Sequence, residues 1–324
     1  MRPSRPSALS KNGDPVSRSI LGAISEEQFL ADFWQQKPLL IRDALPGYES
    51  PVSPDEMAGL ALEDDVESRI VIEAGKTPWE LRCGPFDETT FQQLPATHWT
   101  LLVQALDLWV PEVAELLDYF RFLPPWRLDD IMASYAPAGG SVGPHFDYYD
   151  VFLLQVQGQR RWQVGPLCDQ DTPRLEGTPL RILGEFEAVD EWVLNPGDML
   201  YLPPRIAHWG IAENDCLTYS VGFRAPTLAD MLGDLATELM AQGSASYYRD
   251  PPLSPQMARE DIDPQFIKQV QNMLRQLSDD QTLLADWFAR YMTAPKYPDL
   301  VEELGEERRA NTGGKSYLNG DLLD

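Results

Sequence analysis

In Gly143-Pro144-His145-Phe146-Asp147 a histidine and an aspartate stand two residues apart, just ahead of an apolar run. Residues two apart on an extended strand project from the same side, so this imidazole and this carboxylate offer two adjacent ligand positions on one edge. A metal needs at least a third donor. The sequence of 324 residues contains three histidines, which leaves His98 and His208. His208 closes PGDMLYLPPRIAHWG, a tight turn followed by a short apolar strand and a double proline. It follows His145 by 63 residues (208 minus 145), enough for intervening strands to return the chain to the first pair. Two histidines and a carboxylate on one face of an octahedron leave three positions for a cosubstrate and dioxygen, as in non-haem Fe(II) oxygenases. The competing reading is structural, since a lone histidine on a strand is more often a surface or hydrogen-bonded residue than a ligand. His98, followed by Trp99 near the start of a predicted helix, reads in that structural way. Zinc fits less well than iron, because tetrahedral zinc sites more often take a third histidine or a cysteine.

Iron with open positions calls for something to anchor a cosubstrate. Val151–Gln157 and Arg160–Val164 read as a hairpin around Gly158, so Arg160 and Arg161 lie at a strand start. Strand alternation turns one of them inward and the other outward. A buried guanidinium can grip a carboxylate bidentately, as a dicarboxylic cosubstrate such as 2-oxoglutarate would require. The alternative is that both arginines are simply solvated at the hairpin.

The elements that must position these residues form short β-like runs punctuated by glycine and proline: Ile131–Ala136, Val151–Gln157, Arg160–Val164, Trp192–Leu194, Met199–Leu202 and Leu217–Phe223. Such spacing predicts an antiparallel sandwich or barrel, with Asn195-Pro196-Gly197-Asp198 as a strong turn. Before it, Ser25 caps a predicted helix that runs through Phe33 and Trp34 and stops before Pro38, and Leu39–Ile41 reads as a short strand. Ser68–Glu73 and Trp79–Arg82 read as further strands, and Thr97 to Phe120 as two amphipathic helices. After Pro226 the pattern turns helical, with apolar stripes through Leu228, Leu232 and Leu235, then Ile267, Val270 and Leu274, then Leu284, Trp287 and Phe288. So small an appendage cannot bury all of these alone, which predicts self-association. The end from Gly305 reads as loose.

Composition bounds the function. The net charge of −25 arises from 51 acidic against 26 basic residues spread along the chain, so direct binding to a nucleic-acid backbone is not expected. So acidic a surface either serves solubility or steers basic partners, of which ribosomal proteins and histones are the commonest. No apolar run approaches the roughly 18 residues that a membrane span needs. Three widely spaced cysteines, Cys83, Cys168 and Cys216, indicate neither a disulfide framework nor a thiolate zinc site, which fits a reducing cytoplasm. The first 20 residues read as a flexible tail.

Four stretches, EEQFLADFWQQKPLLIRDAL, DDIMASYAPAGGSVGPHFDYYDVFLLQVQGQRRWQVG, NPGDMLYLPPRIAHWG and LTYSVGFRAP, occur in order over about residues 20 to 290. In this the chain resembles the JmjC-type 2-oxoglutarate oxygenases, in particular the bacterial ribosomal oxygenases that hydroxylate an arginine of large-subunit ribosomal protein sixteen. The resemblance implies an α+β fold: N-terminal helices and a double-stranded β-helix, the cupin-like JmjC barrel, over residues 21–225, a helical dimerisation region over 226–294, and a homodimer. It implies Fe(II) held by His145, Asp147 and His208, 2-oxoglutarate held at its distal carboxylate by Arg160, and Ser134 assisting there. Eukaryotic relatives acting on histidine carry a lysine at the anchor, whereas this chain has arginine, as the bacterial group does. The family continues into a winged-helix module, of which residues 295–324 would be a truncated stub or a disordered end. An arginine substrate would need aromatic walls and a carboxylate, for which Tyr148, Tyr149 and Asp150 are candidates unless they merely pack or are solvated. The alternatives are histidine or asparagine hydroxylation, lysine demethylation, or a non-catalytic cupin-like protein that holds a basic partner.

Overall fold

The computed structural model describes residues 19–243, 246–255 and 261–323; the expected tail lies outside them up to residue 18. Helix α1 (Glu26–Asp32) starts where the Ser25 hydroxyl accepts from the Gln28 N–H at 3.1 Å, and β1 (Leu39–Ile41) follows Pro38. Helix α2 (Pro54–Leu60), closed by a Ser53–Glu56 capping box, leads to β2 (Ser68–Ala74) and β3 (Pro78–Cys83). After α3 (Glu88–Gln92) come β4 (Trp99–Val103), the one-turn helices α4 (Leu106–Trp109) and α5 (Pro111–Ala114), and β5 (Leu128–Ala136). The barrel continues through β6 (Val151–Gln157), β7 (Arg160–Leu167), β8 (Asp190–Leu194), β9 (Met199–Leu202), β10 (Ile206–Ala212) and β11 (Cys216–Phe223).

These strands make two antiparallel sheets, one of eight in the order β1-β9-β6-β11-β5-β4-β2-β3 and one of three in the order β10-β7-β8. They close on each other as a double-stranded β-helix. The central strands are buried on both faces, which is why their sequences are continuous apolar runs rather than alternating ones. In β6, Phe152, Leu154 and Val156 face outward onto Phe29, Phe120 and Tyr201 under the N-terminal helices. Val151 and Leu153 face inward, against Trp162 and Leu194 of the facing sheet and Leu200 of neighbouring β9. β5 follows the same rule: Ile131 and Ala133 join the outer core, while Asp130, Met132 and Ser134 line the barrel's cavity. Gly158 makes the β6–β7 turn possible. Its φ is +64° and a Cβ there would lie 2.1 Å from the Asp215 carbonyl oxygen, so no L side chain fits.

Two expectations fail. The segment expected to be helical from Thr97 begins instead as strand β4, paired with β2 and β5. Its run of Trp, Thr, Leu, Leu and Val suits a strand buried on both faces, and only short helical turns follow from Leu106. The end beyond Gly305 is not loose: β12 (Arg309–Thr312), β13 (Lys315–Leu318) and β14 (Asp321–Leu323) form a small antiparallel sheet around the buried Tyr317. The helices expected after Pro226 are present as α6 (Leu228–Ala241), α7 (Pro264–Asp279) and α8 (Gln281–Thr293), with α9 (Val301–Leu304) beyond them.

Asp107 of α4 supports β5 by accepting from the Ile131 N–H at 2.8 Å. Burial pushes its carboxyl up to about 7, reinforced by Asp130 and opposed by the bond from Ile131. Between the ordinary carboxylate range and that value the folded chain keeps a proton that the unfolded chain has lost, so this contribution to stability falls as pH rises. Thermal melts of Asp107→Asn from about pH 5 to about pH 8 are therefore expected to lose less stability than the parent over that interval. Parallel profiles would contradict the assignment.

Candidate metal centre

His145 and His208 sit opposite each other in an antiparallel bridge, with His145 N–H to His208 O at 3.0 Å and His208 N–H to His145 O at 2.8 Å. Their rings lie 4.3 Å apart. In each ring Nδ1 faces a carbonyl, Gly143 O at 2.9 Å and Ile206 O at 2.9 Å. A carbonyl can only accept, so Nδ1 carries the proton and Nε2 keeps its lone pair. Both Nε2 atoms turn toward Asp147 Oδ2, at 3.8 Å from His145 and 3.7 Å from His208. Cis donors on bonds of about 2.1 Å lie roughly 3 Å apart, so small side-chain adjustments close the three around one ion. Burial, with His145 adding to it, lowers the His208 pKa to about 4, which keeps that ring neutral and free to bind metal at neutral pH. The backbone is fixed as closely: Gly143 takes φ +81°, a Cβ there would lie 2.5 Å from Ile182 Cδ1, and its N–H donates to Ser141 Oγ at 3.0 Å.

The three donors open onto a cavity of about 240 Å³ that also contains Arg160 and Ser134. Arg160 is 5% exposed and donates from Nη1 to Ser134 Oγ at 2.8 Å, while its Nε and Nη2 have no partner among the described residues. Trp162 lies beside it, with the guanidinium 5.9 Å from the indole centroid. Arg161 turns outward to Glu191 at 2.5 Å and Glu213 at 2.6 Å, so the pair divides between inside and outside. A buried cation with unpaired donors, in the same cavity as three convergent metal donors, suits a ligand that bears a carboxylate and chelates the ion with its other end.

Of the three residues expected around a substrate cation, only Tyr149 lines this cavity, and it remains 41% exposed. Tyr148 packs against Phe146 at 5.3 Å. Asp150 is corrected outright: fully buried, it accepts from Tyr201 at 2.7 Å, Gln35 at 3.1 Å and Arg127 at 3.3 Å, and it fastens the turn after α1 to the barrel. His98 precedes β4 rather than a helix, with φ +63°, and its ring covers Gly139. Besides Asp147, the carboxylates that do reach the cavity are Asp129 and Asp130. The sequence held a signal for Asp130, because residues 130, 132 and 134 share one face of a strand once Ser134 is taken as inward.

The JmjC domain family matches residues 115–231, and the AraC-like ligand binding domain matches 188–286, running past the last barrel strand into the helices. The ribosomal protein uL16 3-hydroxylase of Escherichia coli is 35% identical over 322 residues, covering 91% of this chain and 84% of that protein. The chain belongs to the JmjC family of ribosomal oxygenases. A probable ribosomal oxygenase of Haemophilus influenzae is 46% identical over 214 residues, a match spanning 66% of this chain and 53% of that one. Solved structures of the E. coli ribosomal oxygenase YcfD, at 33% identity, cover 93% of this JmjC chain and 86% of their own, with TM-scores of 0.83 and 0.81. One holds cobalt and 2-oxoglutarate and another cobalt and succinic acid.

Losing a direct donor costs more than the 10- to 100-fold typical of changes behind the donors. His208→Ala is therefore expected to weaken Fe(II) or Co(II) binding by more than about 100-fold in anaerobic calorimetry, and unchanged affinity would dismiss the centre.

Proposed function

We propose that this chain is an Fe(II)- and 2-oxoglutarate-dependent dioxygenase that hydroxylates an arginine side chain of large-subunit ribosomal protein sixteen, uL16. The observation that carries this reading is Arg160, a buried guanidinium with two nitrogens unpartnered among the described residues, which shares a cavity with His145, Asp147 and His208. A metal site without a carboxylate ligand to anchor would have no use for it. His145, Asp147 and His208 would hold the iron, and Arg160 with Ser134 would hold the distal carboxylate of 2-oxoglutarate. Bound together, iron and 2-oxoglutarate would supply the means to split dioxygen, one oxygen atom entering a substrate C–H bond to give the alcohol and the other entering the succinate that forms as CO₂ is lost.

The chain's own share is binding and orientation. Asp130, 4% exposed, keeps Oδ1 clear of any hydrogen bond among the described residues, while Oδ2 is held from behind. Oδ1 lies near Gly222, 3.8 Å from where a Cβ would stand, and both residues line the cavity. With Met132 and Tyr149 as walls, that oxygen suits the N–H donors of a guanidinium. The net charge of −25 would draw a basic protein. The reading includes a homodimer through the exposed stripe of Ile267, Val270 and Leu274 on α7. It also places the enzyme in the cytoplasm, which agrees with three free cysteines; among the described residues no helix is long and apolar enough to cross a membrane.

Mass spectrometry of ribosomal proteins incubated with the enzyme, Fe(II) and 2-oxoglutarate should find one oxygen added to an arginine of uL16. Formaldehyde release instead would indicate demethylation, and succinate formation with no modified arginine would remove the substrate assignment. Arg160→Ala should leave metal binding in place and weaken 2-oxoglutarate at least about tenfold, the worth of a charge-assisted hydrogen bond; unaltered 2-oxoglutarate affinity would discard the anchor.

A further inference from the structure

Asp129 and Asp130 are adjacent acidic residues at the edge of the cavity, and one cation from the far end of the chain reaches both. Lys296 Nζ lies 2.6 Å from Asp130 Oδ2 and 3.1 Å from Asp129 Oδ2. Asp130 Oδ2 also accepts from Gln104 Nε2 at 2.7 Å. That amide cannot reverse, because Arg69 Nη2 donates to Gln104 Oε1 at 2.7 Å. Asp129 is occupied on both oxygens, with Arg224 Nε at 3.3 Å from Oδ1. The two carboxylates therefore differ: Asp129 is consumed by ion pairs within the protein, and Asp130 is gripped on one oxygen with the other turned to the cavity.

Lys296 is itself held in place. Its backbone N–H donates to the buried Glu306 carboxylate at 3.1 Å, and Glu306 pairs with Arg308. Arg308 in turn donates to the Leu128 carbonyl at 2.7 Å and the Asp129 carbonyl at 2.6 Å. Residues 296 to 308 are thus fastened to the first residues of β5 at several points, all of them charge-assisted. Two neighbouring carboxylates, Asp129 half-buried and Asp130 buried, repel each other unless a cation stands between them.

We propose that Lys296 is a positioning residue for the substrate: it fixes the Asp130 carboxylate and offsets its neighbour's charge, so that Asp130 Oδ1 faces the cavity to receive a guanidinium. The segment beyond α8 thereby becomes part of the substrate subsite although Lys296 does not line the cavity. The inference rests on Asp130 receiving the substrate cation, and the experiment separates the two claims.

The variants are Lys296→Gln, which keeps a donor for Asp130 and removes the charge, Lys296→Arg, Asp130→Asn and the double variant Asp130→Asn/Lys296→Gln. Each is assayed with a uL16-derived peptide containing the unmodified target arginine, and 2-oxoglutarate binding to the Fe(II) protein is followed without oxygen. Lys296→Gln should raise KM for the peptide about tenfold while 2-oxoglutarate affinity stays within about twofold, and Lys296→Arg should recover most of the loss. In the Asp130→Asn background Lys296→Gln should add nothing, since it acts through that carboxylate. A KM unchanged by Lys296→Gln, or equal losses in both backgrounds, overturns the role of Lys296 and leaves Asp130 standing. A KM unchanged by Asp130→Asn overturns the substrate reading itself. If Lys296→Gln fails to fold, the Arg variant decides: wild-type KM with the charge kept supports the role, and a KM raised as far as in Asp130→Asn overturns it.

Discussion

Reciprocal main-chain hydrogen bonds between His145 and His208 fasten the loop after β5 to strand β10. Since the tie is between backbones, the two imidazoles leave it side by side, and each is then turned by a carbonyl two residues before it. Nothing in this depends on the ion: the lone pairs converge because a bridge and two carbonyls leave them no other direction. A centre arranged in advance gives up little conformational freedom on binding. Residues that look remote serve the same end. Ser141 accepts from Gly143 N–H and, at 2.8 Å, from Trp209 Nε1, which fixes the backbone stretches that carry both histidines.

The rest of the site is set out by the period of two in strands that are buried on both faces. β5 and β6 each give one set of side chains to the core beneath the N-terminal helices and the other to the barrel interior. The wall of the cavity is therefore also the wall of the hydrophobic core, and displacement on one face is felt on the other. Asp107 illustrates this, because it holds the β5 backbone from outside at Ile131, next to the residue that faces the cavity.

How much of this was legible in the sequence depended on distance along the chain. The His145–Asp147 spacing, the hairpin at Gly158 and the inward turn of one arginine follow from local rules, and the structure draws His208 in beside them. Asp150 misled because nearness in sequence passed for nearness in space, whereas its partners come from the turn after α1, β9 and the turn before β5. Asp130 went unread because a residue that holds it, Lys296, lies 166 residues away. Strand β4 resembled a helix because an uninterrupted apolar run carries no period with which to decide. The terminal sheet resembled a loose end because Gly, Asn and charge dominate its composition, while contacts that order it reach distant residues, Tyr317 to Asp286 at 2.7 Å and Arg308 to the Leu128 and Asp129 carbonyls.

The division of Arg160 and Arg161 between the two faces of β7 has a consequence for how this protein can change over time. Arg161 is held outside by Glu191 and Glu213 while its neighbour points into the cavity, so a single residue gained or lost in the Gly158 turn would exchange them. The surface arginine would enter the barrel, two glutamates would lose their counterion, and every inward side chain of β7 would turn outward. Point substitution can alter the anchor without disturbing its neighbours, but a change of length cannot. The turn is expected to keep a constant length, and its glycine at 158, in descendants of this chain, and the identity of the inward residue is free to vary only at position 160.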